Sequence, residues 1–242
     1  MVKCASKLDS NGIPLLSKQQ LERYGERVLR DFSPAVLQNP QPTDMDGIIT
    51  SGMGFNLEYQ YLSHNKVYLG VTIFDDTDML PVYNPELNRA EFISVKKDTI
   101  IIEGTLAENP VYEHRERFTQ GHEVSHGLLH AEYFQRKAEY ANFMDDCRGI
   151  YSKPCFPDLS GVDVNGRRLQ GEAWLEWQAN YLSAVLLMPK TAIKKLRNQI
   201  EPKGSRYWLL DLIRVMVEVF NVSEEAARVR LGSLGYLPSK FR

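Results

Sequence analysis

Near the start of the chain, the apolar positions follow the period of an α-helix. Leu21, Val28 and Leu29 are spaced so that their side chains fall on one helical face, which predicts an amphipathic helix over residues 18–32. Ser17 precedes this run and Gln20 follows three residues later, the pattern of a capping box. The predicted helix therefore has both a buried face and a defined start.

After residue 54 the period changes to two, the period of β-strands. Five β-rich runs are separated by turn-forming residues. They cover residues 55–61, 67–73, 79–83, 92–95 and 99–102. We therefore expect a small, mostly antiparallel sheet, preceded by a short helix over residues 45–50.

The helical period returns at residue 112 and dominates the rest of the chain. The predicted helices cover residues 112–134, 171–188, 190–199, 207–220 and 223–234. Residues 135–170 have no clear period and contain several prolines and glycines, which predicts a long surface excursion. Strands followed by helices indicate an α+β fold, and we divide it into a main domain, residues 1–189, and a C-terminal helical subdomain, residues 190–242.

The pentapeptide His-Glu-Val-Ser-His occupies residues 122–126, inside one of these predicted helices. Because one helical turn separates His122 from His126, both imidazoles project from the same face and can share one tetrahedral metal ion. Glu123 lies about 100° further round the helix, where a carboxylate reaches a water on the metal without being a ligand. This pattern is typical of zinc hydrolases, with Glu123 as the general base.

A catalytic zinc site needs a third protein ligand, and the residues leave two candidates open. Glu172 and Glu176 lie on one face of the downstream predicted helix. If Glu176 is the ligand, Asn180 one turn later is placed to orient it; Glu172, with Glu176 behind it, is the alternative. His130 lies about 12 Å from His122 along the helix axis, and we expect it at the helix end or in the wall of the site.

Composition and charge add only exclusions. Lys and Arg number 29 against 31 Asp and Glu, a net charge of −2, which gives no general attraction for nucleic acid or anionic lipid. The first residues contain no apolar run followed by a cleavage site, and no stretch of 18 apolar residues occurs. Three cysteines are also too few for a disulfide framework, which fits a reducing compartment. We therefore expect a cytoplasmic protein without membrane association.

Two separated segments resemble the signature of the ImmA/IrrE metallopeptidases. RFTQGHEVSHGLLH, residues 117–130, carries the H-E-x-x-H part, and EWQANYLSAVLLMP, residues 176–189, resembles the downstream E-x-x-A-N-x-x-A-x-x-L-L-M-P part. Residues 95–119 resemble the segment that precedes the zinc helix in this family, and residues 220–237 resemble its terminal helical hairpin. The resemblance covers about residues 15–237.

The resemblance implies a zincin-like peptidase fold of the gluzincin type, with a helix-turn-helix-like hairpin at the C-terminal end. It implies one catalytic Zn²⁺ held by His122, His126 and Glu176, with Glu123 as the general base. It also implies an endopeptidase whose substrate is a protein, typically a helix-turn-helix transcriptional repressor encoded nearby in a mobile element, a phage or a stress response.

Four other residues near these motifs are candidates for roles at the metal site. Tyr181 and His130 are candidate donors to the oxyanion of the reaction. Cys147 and Cys155 lie in the excursion over residues 135–170, which we expect over the cleft, where a thiolate would be able to occupy the open metal position in a latent state.

Two other classes of function are consistent with parts of the sequence. The tail has the pattern helix, short turn, helix, so one alternative is a DNA-binding regulator that uses Arg228 and Arg230. Because Glu224 and Glu225 at the start of the last helix would repel phosphates, we favour packing of this helix over DNA contact. The other alternative is a non-catalytic metal-binding regulatory protein, against which the intact Glu123 argues.

Overall fold

The computed structural model describes residues 6–140, 150–152, 159–162, 166–200 and 207–237. The protein is mixed α+β, as the change of period predicts. It divides into two compact units, of which the first comprises Met1–Leu15 and Met45–Cys155 and the second comprises Leu16–Asp44 and Phe156–Arg242. The boundary expected between residues 189 and 190 falls inside the second unit and stays a prediction.

The described elements follow the predicted order along the chain. The first are α1 (Lys18–Phe32), α2 (Pro34–Gln38), α3 (Met45–Gly47) and a π-helix (Ile48–Met53). Five strands follow: β1 (Asn56–Gln60), β2 (Gly70–Ile73), β3 (Thr77–Asn84), β4 (Arg89–Val95) and β5 (Thr99–Glu103). The remaining elements are α4 (Gly104–Ala107), a 3₁₀ turn (Pro110–Tyr112), α5 (Glu113–Leu129), α6 (Ala131–Tyr140), β6 (Ile150–Ser152), α7 (Glu172–Leu187), α8 (Lys190–Ile200), α9 (Trp208–Phe220) and α10 (Glu224–Ser233). None of the described helices combines the length and the apolar run that a membrane span requires.

The first unit is built on a four-stranded sheet with the order β1-β5-β2-β6. β1 runs parallel to β5, whereas β2 runs antiparallel to both β5 and β6. β3 and β4 form a separate antiparallel pair. The mostly antiparallel pairing is therefore confirmed, but the five predicted strands belong to two sheets rather than one. Every residue of β2 and β5 is buried, which means that both faces of these strands are covered.

Alternate residues of β2 serve the two covered faces, because successive side chains of a strand point in opposite directions. Val71 and Ile73 pack with Leu80 of β3 and other apolar residues in one cluster. Gly70 and Thr72 lie against α5 instead. The alternation that predicts this strand thus also sorts its residues between an apolar core and helix α5.

The single helix predicted over residues 112–134 is wrong at its C-terminal end. α5 ends at Leu129, and His130 is its C-cap with φ −119° and ψ 0°. A second helix, α6, then begins at Ala131. The apolar period continues across the break, so the pattern of residue types does not mark it.

The excursion expected over residues 135–170 is shorter than predicted. α6 continues to Tyr140, and residues 150–152 form β6, which pairs with β2. A three-residue strand whose partner is distant in sequence leaves no local pattern to detect. The short helix expected over residues 45–50 is also changed, since one α-helical turn passes into the π-helix.

The second unit is helical and centres on α7, which is buried from Trp174 to Leu187 except at Glu176. α1 packs against α7. Gly25 allows this contact, because a Cβ atom there would lie 2.5 Å from Cγ1 of Val185. The predicted capping box of α1 is present.

A buried ion pair joins α10 to α1 in this unit. Arg230 is fully buried, and its Nη1 and Nη2 donate to the two carboxylate oxygens of Glu22 at 2.6 and 2.9 Å. Its Nε donates to the carbonyl oxygen of Met188 at 3.0 Å, and Tyr181 donates its hydroxyl to Glu22 at 2.8 Å. Burial is the largest influence on Glu22 and opposes its ionisation, but the hydrogen bond and charge of Arg230 outweigh it and hold the pKa of Glu22 below its ordinary value.

Replacing Arg230 by Met should lower the free energy of unfolding by about 3–5 kcal/mol, because it leaves the largely buried Glu22 without its cation. Urea unfolding followed by circular dichroism measures this change. Arg228→Met on the same helix is the matched control: Arg228 pairs with Glu224 on the surface, and its loss should change the free energy by less than about 1 kcal/mol. Equal effects of the two substitutions would contradict the structural role of Arg230.

Candidate metal centre

Helix α5 carries a run of buried polar residues. Every residue from Thr119 to Leu128 is buried, and the exposed fractions of His122, Glu123 and His126 are 3%, 0% and 0%. Burying polar groups is unfavourable unless each finds a partner. The hydrogen-bond partners of the buried polar residues of α5 therefore bear on the role of each residue.

The smaller polar residues of α5 are satisfied within the first unit. Ser125 donates its hydroxyl to the carbonyl oxygen of Gly121 at 2.7 Å, one turn back. Thr119 does the same to its own preceding turn at 2.9 Å. Gln120 donates its side-chain amide to Asp46 at 2.9 Å. The burial of Ser125, Thr119 and Gln120 therefore has a structural explanation.

The two histidines converge on one point. The Nε2 atoms of His122 and His126 are 2.9 Å apart, as expected for two imidazoles one helical turn apart on one face. Two nitrogens that bind one tetrahedral zinc at its usual bond length are about 3.3 Å apart. The pair therefore fits a metal ion after an opening of about 0.4 Å, which small side-chain rotations provide.

Glu123 is held against β2 by two residues that the sequence pattern did not identify. Thr72 donates its hydroxyl to Oε2 of Glu123 at 2.7 Å. Gly70 leaves the space that the Glu123 side chain fills, since a Cβ at Gly70 would lie 2.8 Å from Cγ and Oε1 of Glu123. The signal was present in the sequence: small or polar residues occupy alternate positions of an otherwise apolar strand.

Glu176, the predicted third ligand, lies on α7 in the second unit. It is half-buried, whereas most of its neighbours on the helix are buried. Its role as a metal ligand stays a prediction. Glu172, the alternative ligand, is exposed, and Asn180, the predicted orienting residue, is buried one turn after Glu176; their roles stay predictions.

His130 lies at the helix end, where the sequence analysis expected it. It is fully buried, and its Nδ1 lies 3.0 Å from Nδ1 of His126. Burial, followed by the charge of His122, lowers the pKa of His130 to about 3, so its ring is neutral at physiological pH. The rings of His126 and His130 both contact the edge of Phe134, which stacks on Phe74.

Other candidate residues have different surroundings. Tyr181 donates a hydrogen bond from its hydroxyl to Glu22. Burial, followed by the charge of Glu22, raises the pKa of Tyr181 to about 12. Arg230 is bound to Glu22 as described above, so its guanidinium is not presented to a DNA phosphate. Cys147 and Cys155 lie outside the described residues.

Comparison with known proteins adds no further assignment: no protein-family model and no curated protein matches the chain.

Gly70→Ala should lower the free energy of unfolding by about 1–3 kcal/mol, because the new methyl group overpacks the contact between β2 and Glu123. Urea unfolding measures the loss. Gly104→Ala in α4 is the control, since the nearest atom to a Cβ there is 3.5 Å away, an ordinary contact. If both variants are as stable as the wild type, Gly70 does not set the distance between α5 and β2.

We expect the protein loaded with zinc and desalted to hold about one ion per chain, measured by elemental analysis. His126→Ala should abolish this binding because it removes one of two converging imidazoles, whereas His114→Ala, earlier on α5, should leave it unchanged. Glu176→Gln should weaken binding about 10-fold or more, and Glu172→Gln should not. Zinc retained by His126→Ala would exclude the site.

Proposed function

We propose that this protein is a zinc-dependent endopeptidase of the ImmA/IrrE type that hydrolyses a peptide bond in a protein substrate. The observation that carries the proposal is the convergence of the Nε2 atoms of the buried His122 and His126, 2.9 Å apart, on the helix that also carries the buried Glu123. Glu176 enters the proposal as the third ligand through the resemblance. In H-E-x-x-H hydrolases the two histidines bind the metal and the intervening glutamate acts on water. The geometry supports the same division of roles here.

The donor set fits zinc. Two imidazoles and one carboxylate are a common ligand set of catalytic zinc sites, which leave the fourth position open. When bound, Zn²⁺ supplies a Lewis acid that polarises the scissile carbonyl and makes water acidic near neutral pH. His122, His126 and Glu176 would hold the ion, and their combined charge of −1 leaves the site cationic.

Glu123 is the residue that moves protons in this proposal. The hydrogen bond from Thr72 to Oε2 fixes the position of the carboxylate, and an ionised carboxylate can accept a proton. Glu123 takes a proton from the attacking water and then gives it to the leaving amine. One carboxylate thus serves first as general base and then as general acid.

The described elements support the finer fold assignments, which also belong to this proposal. α5 packs against β2 and β5 in the first unit, an arrangement consistent with a zincin-like peptidase. α9 and α10 are joined by three residues, with Ser223 capping α10, as in a helical hairpin. The choice of a helix-turn-helix repressor as the substrate depends on the resemblance alone.

Glu123→Gln should keep the zinc content and the thermal stability of the wild type but lower the cleavage rate by at least about 100-fold, because an amide cannot accept the proton. Cleavage is followed by gel electrophoresis with labelled casein and with a purified repressor encoded beside the gene. Glu113→Gln, at the start of α5, is the matched control and should cleave at the wild-type rate.

Three experimental results would contradict the proposed peptidase function or one of its residue roles. A Glu123→Gln variant that cleaves at the wild-type rate would remove Glu123 from the mechanism. Zinc binding without cleavage of any repressor or of casein would favour the non-catalytic metal-binding protein. Duplex DNA binding that weakens with salt and is lost in Arg228→Ala would favour the DNA-binding regulator.

A further inference from the structure

His130 is the third member of a chain of imidazoles. His122 contacts His126 through their Nε2 atoms at 2.9 Å, and His126 contacts His130 through their Nδ1 atoms at 3.0 Å. The two nitrogens of His126 thus face different partners. Because these nitrogens lie on opposite sides of C2 in the ring, a group that contacts Nδ1 cannot also compete for the position that Nε2 faces.

The choice of proton position in His126 decides whether it can be a metal ligand. A neutral imidazole carries one proton, and the nitrogen that binds the metal must present a lone pair. If Nε2 of His126 binds the ion, its proton is on Nδ1, and that N–H needs an acceptor because His126 is fully buried. The structure places Nδ1 of His130 3.0 Å from Nδ1 of His126, within hydrogen-bond distance.

We propose that His130 is a positioning residue that accepts a hydrogen bond from Nδ1–H of His126 and so directs Nε2 of His126 to the metal. The proposal rests on the metal site of the proposed function. It assigns to an imidazole the outer-shell role that a carboxylate or a backbone carbonyl commonly fills in zinc proteins. The proton of His130 is then on its own Nε2.

The surroundings of His130 suit this role. The backbone fixes its position, since its N–H donates to the carbonyl oxygen of His126 at 2.9 Å as α5 ends. Phe134 contacts both rings at centroid distances of 6.1 Å from His126 and 6.5 Å from His130. Among the described residues, Nε2 of His130 has no hydrogen-bond partner. An unpaired N–H at this buried atom is unfavourable, so the proposed arrangement depends on the metal bound by Nε2 of His126.

Two substitutions of similar shape test the acceptor itself. Asn has an oxygen where Nδ1 of His130 lies, and Leu has a methyl group there, so His130→Asn and His130→Leu leave similar space but differ in the acceptor. The zinc dissociation constant of each variant is measured by competition with a chromophoric chelator. We expect it to rise about 10–100-fold in His130→Leu and to return to within about 10-fold of the wild type in His130→Asn.

Equal zinc affinities of His130→Leu and His130→Asn would overturn the proposal, and a wild type that binds no zinc would overturn the proposed function along with it. A second measurement does not depend on the variants. ¹⁵N NMR of the zinc-loaded wild type should show the proton of His126 on Nδ1 and that of His130 on Nε2. A proton on Nδ1 of His130 would overturn the proposal even if His130→Leu does not fold.

Discussion

The close approach of α5 to β2 is the constraint on which the candidate metal centre depends. Gly70 has no side chain, so the Glu123 side chain fills the space beside it and its Oε2 reaches the hydroxyl of Thr72 at 2.7 Å. Since Glu123 lies on α5 between the two histidines, the distance that sets its position also sets theirs. A larger residue at position 70 would meet the side chains of Glu123 and Thr119 at 2.8 Å, so at least one of them would have to move.

The close packing of α5 on β2 also removes the carboxylate of Glu123 from water. Withdrawing a carboxylate from water costs several kcal/mol even after the protein relaxes. A hydrogen bond to a charged group contributes about 1.5–3 kcal/mol, and the bond from Thr72 to Glu123 offsets part of this cost. A divalent cation held by the two histidines would add a favourable charge interaction with Glu123. The proposed metal binding would then also stabilise the first unit.

The parts of this molecule that were predictable from the sequence are those fixed by local chemistry. The capping box at Ser17, the strand periods and the helical spacing of His122 and His126 depend on neighbours within one or two turns, and the structure contains them. The break at His130 and the pairing of β6 with β2 depend on partners that are distant in the chain. The local sequence around His130 and around β6 does not predict those partners.

The candidate site divides in the same way. The pentapeptide defines the histidine pair and Glu123 by spacing alone, whereas Thr72 and Gly70 become relevant only when β2 lies against α5. His130 belongs partly to each group. Its offset from His122 predicts a position at the helix end or in the wall of the site, whereas its contact with His126 follows only from the observed end of α5. The sequence therefore identifies functional residues that share one helix more readily than the residues of other elements that hold them in position.

The contact of Arg230 with Glu22 has a consequence for the order in which the chain folds during synthesis. Domains generally fold as units as the chain emerges from the N-terminus, and the second unit is interrupted in sequence by most of the first. α1 is made early, but Val185 and Arg230, against which it packs and pairs, are made much later. The first unit can thus be complete while α1 still exposes its apolar face, which makes this helix vulnerable to aggregation during synthesis.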